Sequence, residues 1–329
     1  MQGQTDVSAR EVPGRRKTMS DSQELDVERR FYSRFMAAYR KRALYIPFFP
    51  TLLRAGLRLK IANDYGKVKI FSRGKEEEIK QWFGRTEIFF GFAIYRSGTA
   101  FLATFLDQVV PNAVIKHEAN VNDYWYYHLA LQSQTEADKY IRNFRLAEIY
   151  YRMHNRPESL YGEINPYLRR HVKALQKQLP GARFFHLVRD GRNVVRSLMS
   201  RELLDRTDPL GHLTYPPPDD PYAKQWKNMN RFERICWLWQ CDNRYLRENV
   251  GVTLQFEKLV TDYGYFKTKL TDHIGIDLSE ATWREYTHRV GNPTQVFRMD
   301  QWSGWSDAKR ESFRALCGDE MRASGYDFN

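Results

Sequence analysis

Cysteine is scarce in this chain: Cys236, Cys241 and Cys317 are the only thiols among 329 residues. So small and odd a number cannot brace a protein of this size, and the sequence reads as one for a reducing, cytoplasmic compartment. Long apolar runs are missing as well. The N-terminal apolar cluster, residues 43–59, is broken by Pro47, Pro50, Arg54, Gly56 and Arg58, which excludes a transmembrane helix or a signal-peptide core there. Negative charge is short in one region only. Residues 1–80 hold 18 Lys or Arg against 10 Asp or Glu, so +8 of the net +12 lies in the first quarter. The remainder is close to balanced, which argues against a long basic groove and against nucleic acid as a partner. What is abundant is apolar and aromatic residues, at 42% and 15%, enough to bury a substantial core and to exclude a disordered chain.

Three parts follow from the patterning. Residues 1–20 are polar and are expected to form a disordered tail. Residues 21–85 make a basic helical extension: residues 24–42 carry Val27, Phe31, Phe35 and Ala38 at helical spacing, and residues 51–61 give a second, short helix. These helices would either lie on a membrane surface, making the protein membrane-peripheral, or clasp the main domain. From residue 86 to 329 a strand–helix alternation sets in. Apolar runs at 87–94 (EIFFGFAI), 113–115, 159–162, 182–188 (ARFFHLV) and 251–256 (GVTLQF), with helical stretches such as 167–178, predict an α/β domain with a central parallel sheet covered by helices. Residues 203–221, rich in Pro, Asp and Gly, read as a lid or binding loop.

Two segments suit phosphate. After the first strand comes Arg96-Ser97-Gly98-Thr99-Ala100-Phe101 at the start of a helix, where backbone N–H groups and the helix dipole favour an anion. It is not a Walker A loop, because no Lys follows Gly98 and the cation precedes it. The second segment ends the strand 182–188: Arg189 stands where parallel strands deliver side chains to a crevice, and Ser197 lies about two turns into the next helix.

Together these segments make the chain resemble the sulfotransferase superfamily. Its members move the sulfuryl group of 3'-phosphoadenosine 5'-phosphosulfate (PAPS) to an acceptor. The resemblance spans roughly residues 86–329 and implies a P-loop nucleotide-kinase-like fold. It implies that the loop Arg96 to Thr99, continued by Ala100 and Phe101, holds the 5'-phosphosulfate, and that Arg189 with Ser197, eight residues apart, holds the 3'-phosphate. Leu254 to Val260 and the ending Gly325-Tyr326 are also similar to family segments. Phe297-Arg298 followed by Trp302 and Trp305 resembles a late basic loop, implying Arg298 as a third cation. Ala100 replaces a second Thr, and Ile164 stands in the place of a Lys that heparan sulfate enzymes carry.

Sulfuryl transfer gathers negative charge on the oxygen linking sulfur to the departing phosphate, so positioned cations matter most, and Arg96 is placed for that role. A hydroxyl acceptor also needs a general base. Glu118 follows the strand after the first helix, a position like that of the catalytic Glu in tyrosylprotein and heparan sulfate sulfotransferases. Glu163 and His117 are the other candidates. No metal-ligand motif occurs, and none is required. The expected acceptor is a small-molecule, carbohydrate or lipid-like hydroxyl compound. A nucleotide-dependent phosphotransferase and a non-catalytic basic protein binding membranes or polyanions are the alternative readings.

Overall fold

The computed structural model describes residues 49–328 apart from 121, 206, 207, 209 and 289–296. The amphipathic stretch at 24–42 and the tail thus lie outside the described residues. Helix α1 (Phe49–Ser72) and α2 (Glu76–Arg85) precede five strands, β1 (Glu87–Phe92), β2 (Ala113–His117), β3 (Leu160–Ile164), β4 (Arg183–Val188) and β5 (Thr253–Gln255). All pair in parallel in the order β2-β3-β1-β4-β5. The chain therefore starts in mid-sheet, fills one side, then crosses to the other, and this reversal opens a crevice at the carboxyl ends of β1 and its neighbours. This is the nucleotide-kinase-like arrangement expected.

The strands read as continuous apolar runs because both faces are covered. On one face Ile88, Phe90 and Phe92 join Val114, Tyr161 and Leu175; on the other Phe89 joins Leu106, Ile115, Phe185 and Leu254. Two glycines permit the second layer. Phe89 is in register with Gly162, and Gly91 with Phe185. A Cβ on either glycine would collide with the facing ring, so each ring lies across the neighbouring strand's backbone and closes the gap between layers.

Between the strands run α3 (Thr99–Val109), α4 (Asn122–Gln132), α5 (Gln134–Tyr140), a π-helical turn (Ile141–Arg145), α6 (Leu146–Met153), a 3₁₀ turn (Pro166–His171), α7 (Val172–Gln178), α8 (Gly191–Met199) and α9 (Arg231–Asn249). A last long helix, α10 (Asp307–Ala323), packs on α9. The short helix expected at 51–61 is part of the longer α1, and Val68 of α1 and Trp82 of α2 enter the core. The described part of the basic extension is thus stitched into the domain. Among the described residues no helix is long and apolar enough to cross a membrane.

Candidate active site

β1 ends in the turn Tyr95-Arg96-Ser97-Gly98, which opens α3. Gly98 caps the helix with φ +93° and gives it no side-chain acceptor; a side chain here would strike the Phe256 ring. The first N–H groups of α3 therefore remain available to an anion. Ser97 is fully buried, and its Oγ finds no hydrogen-bond partner among the described residues. Arg96 adopts the left-handed backbone at φ +68°, an uncommon conformation for a side chain with a Cβ.

The second segment meets the first directly. Arg189, just past β4, donates from Nη1 to the Arg96 carbonyl at 3.0 Å, and Arg96 donates from Nε to Ser197 Oγ at 2.9 Å. Sequence separation thus concealed a single cluster: Arg96, Arg189 and Ser197 sit within one or two bonds of each other. Burial pushes the Arg96 pKa down, and the guanidiniums of Arg201 and Arg189 push it further. Several cations crowd a partly buried edge, and an anion would relieve their repulsion. Arg298 is exposed, with its backbone N–H donating to Ser200 Oγ at 2.8 Å, and Arg196 donates to the Met299 carbonyl at 3.0 Å. The loop carrying Arg298 therefore rests on the end of α8, beside Ser197.

The base candidates separate. His117 ends β2, and its Nε2 lies 3.0 Å from Thr99 Oγ1 and 3.6 Å from Glu118 Oε1. His117 and Glu118 both keep solvent access, and Glu118 holds φ +50°. Glu163 is enclosed. Its carboxylate accepts from Arg145 Nη2 at 2.6 Å on both oxygens, from Tyr161 at 2.6 Å and from Asn165 at 2.8 Å. With four hydrogen bonds from three side chains its lone-pair sites are filled. Arg145 also bonds Asp123 and Glu148, so three carboxylates share one buried guanidinium. Burial pushes the Asp123 carboxyl up to about 7, against the pull of Arg145.

Ala100 is exposed on the first turn of α3. Phe101 meets Phe256 edge-on at 6.1 Å and the tilted ring of Tyr286 at 5.5 Å, which gathers aromatic surface on the α3 side of Gly98. Glu257, within the segment that follows β5, accepts from the Asp190 N–H at 3.2 Å and from Tyr326 at 2.6 Å. These two segments, which sequence likeness linked only separately, are bonded to each other behind Arg189.

The sequence reading passed over Arg169. It is fully buried, paired with Asp242, and packed over the rings of Tyr127 and Tyr95 at 3.6 and 4.4 Å. Through Tyr95 it anchors the residue that precedes Arg96. No motif announces this contact, because a cation stacked between rings from separate elements has no sequence spacing. Arg201, the electrostatic neighbour of Arg96, was missed for the same reason.

Residues 89–280 match the profile of the sulfotransferase family. The chain belongs to that family. Among curated proteins no sequence matches it. Solved structures similar to this sulfotransferase include the sulfotransferase domain of the Synechococcus PCC 7002 olefin synthase, with 18% identity over 74% of this chain and 96% of that one at TM-score 0.44. Sulfotransferase STF9 of Mycobacterium avium is 13% identical over 80% and 84% of the two chains, TM-score 0.46. Mouse sulfotransferase SULT7A1, solved with PAP, is 13% identical over 76% and 90%, TM-score 0.42. Among the described residues of this sulfotransferase, no group of three or more His, Cys, Asp or Glu side chains is gathered as metal ligands would be.

Proposed function

We propose that this sulfotransferase transfers the sulfuryl group of PAPS to a hydroxyl acceptor. The observation that carries the reading is the union of two anion-seeking segments at one sheet edge, with Arg96 bonded to both Arg189 and Ser197. The residues fit the nucleotide. The uncapped start of α3 and the Ser97 hydroxyl, which has no partner among the described residues, favour an anion, and Arg201 and Arg189 press on the Arg96 guanidinium. PAPS would supply the activated sulfuryl group and a phosphate leaving group.

In this reading the α3 N–H groups, Ser97 and Thr99 hold the 5' end, while Arg189, Ser197 and Arg298 hold the 3'-phosphate, and Phe101 offers a ring face to the base. Arg96 stabilises the charge that develops on the leaving oxygen, by charge and hydrogen bonding, since its guanidinium does not give up a proton at neutral pH. Glu118 accepts the acceptor's proton. It has the solvent access that Glu163 lacks, and His117 beside it orients the carboxylate and ties it to Thr99. Glu163 instead holds Arg145 and so fixes the end of β3.

Calorimetry with 3'-phosphoadenosine 5'-phosphate (PAP) and with AMP tests the nucleotide assignment: PAP should bind at least about 30-fold more tightly. Equal affinities would remove it. A mass-spectrometric screen of hydroxylated small molecules, carbohydrates and lipids, with PAPS as donor, then identifies the acceptor.

A further inference from the structure

Helix α1 turns one face to the core and, among the described residues, leaves the other without an apolar partner. Ile61 and Val68 point inward, and Asp64, the only carboxylate on α1, accepts from Asn122 at 3.1 Å. Outward, Leu59 and Ile70 are 73% and 79% exposed. They lie eleven residues apart, about three helical turns, and so share one ridge. Ala62 and Asn63, also exposed, and the small Gly66 lie along it between them. Cations flank this ridge on both sides. Arg58 and Lys69 stand about 80–100° to one side and Lys67 about 80° to the other, all exposed, and Arg73 follows the helix end. The exposed ring of Tyr151, packed edge-on against Phe71 at 4.6 Å, extends the same end of the helix.

We propose that this face of α1 docks on an anionic phospholipid surface. Aliphatic side chains on a central ridge enter the acyl boundary, while lysine and arginine on either side reach back to phosphate and carboxylate headgroups with their stems lying along the lipid. A second copy of the chain suits the face poorly, because it would set the same cations against each other. A nucleic acid would leave Leu59 and Ile70 facing phosphate. At about 36 Å the helix is long enough to lie across several headgroups. The proposal stands independently of the nucleotide reading.

Flotation of the full chain with vesicles tests it. Binding is expected to vesicles of phosphatidylcholine with about 30% phosphatidylserine, to be absent from phosphatidylcholine alone, and to weaken as salt rises. The double substitution Leu59→Ser with Ile70→Ser should lower partitioning by at least about tenfold, and Lys67→Glu with Lys69→Glu should do the same. Both pairs are exposed, so the melting temperature should hold. Failure of the full chain to float with the mixed vesicles would overturn the proposal. So would unchanged flotation of the Leu59/Ile70 variant, or a stable dimer that Ile70→Ser dissociates.

Discussion

Glu118 and Glu163 stand at the ends of adjacent strands, yet they belong to regions built on opposite principles. Around Glu163 opposite charges meet inside the fold: Arg145 meets three carboxylates, and Arg169 and Arg170 both meet Asp242. Around Arg96 the balance is broken. Cations face cations, a buried hydroxyl has no partner among the described residues, and a helix start has no side-chain cap. Unpaired polar groups are costly, so a fold keeps them where a ligand completes them. The difference separates a region whose opposite charges meet inside the fold from one whose cations crowd together, as the proposed nucleotide site requires.

The comparison breaks most visibly on Arg145. Arg145→Met leaves Asp123 and Glu163 buried without their cation and Glu148 with Arg152 alone, and thermal or urea unfolding should show a loss of about 3–5 kcal/mol. Arg189→Ala, at the open rim, should cost about 1 kcal/mol or less. Equal losses would erase the distinction drawn above. Next in size is the base: with PAPS and an identified acceptor, Glu118→Gln should lower turnover by about 100- to 10,000-fold while PAP affinity stays the same. Glu163→Gln should show its effect first in the melting curve. Normal turnover by Glu118→Gln would take the role away from it.

Much of this was legible beforehand, for identifiable reasons. Strands buried on both faces announce themselves as apolar runs, so β1 to β5 were found with their ends displaced by one or two residues. The segments from Arg96 and from Arg189 were legible because a helix start and a strand end place their residues by local geometry alone. What stayed hidden was long-range. Nothing in the spacing says that Arg145, on a π-helical turn, fills the carboxylate of Glu163, or that Arg169 packs over Tyr95. The extent of α1 was hidden too, since Gly56 and Gly66 look like breaks until the core on its inner side sustains the helix.

Two smaller effects sharpen the contrast. Arg189→Ala should reduce the preference for PAP over AMP by about 2–4 kcal/mol, read by calorimetry, because a charged contact to the 3'-phosphate is lost. An unchanged preference would place the 3'-phosphate elsewhere. The smallest effect is in pH. Asp123 keeps its proton in the fold up to about 7, whereas an ordinary aspartate loses it near 3.8. The folded state then binds the extra proton between these values, so this group's contribution to stability declines as pH rises from about 4 to about 7. Burial pushes His128 and His171 down to about 3 and His186 to about 4, and these act in the opposite sense, losing stability as pH falls below about 6.5. Asp123→Asn should therefore steepen the net rise in stability between pH 4 and 7 relative to the parent chain. An unaltered slope would mean that Asp123 is ionised within its cluster.

Tyr326 carries a consequence for anyone who handles this protein. Its hydroxyl donates to Glu257, and that carboxylate in turn receives the Asp190 N–H and lies 3.9 Å from Arg189. Tyr326 thereby braces Arg189 from a distance: it keeps Glu257 occupied and so limits how far the acid can neutralise the arginine that the proposed reading sets on the 3'-phosphate. On the proposed reading, a proteolytic nick before Tyr326 would free Glu257 to neutralise Arg189 and so weaken the grip on PAP from outside the crevice.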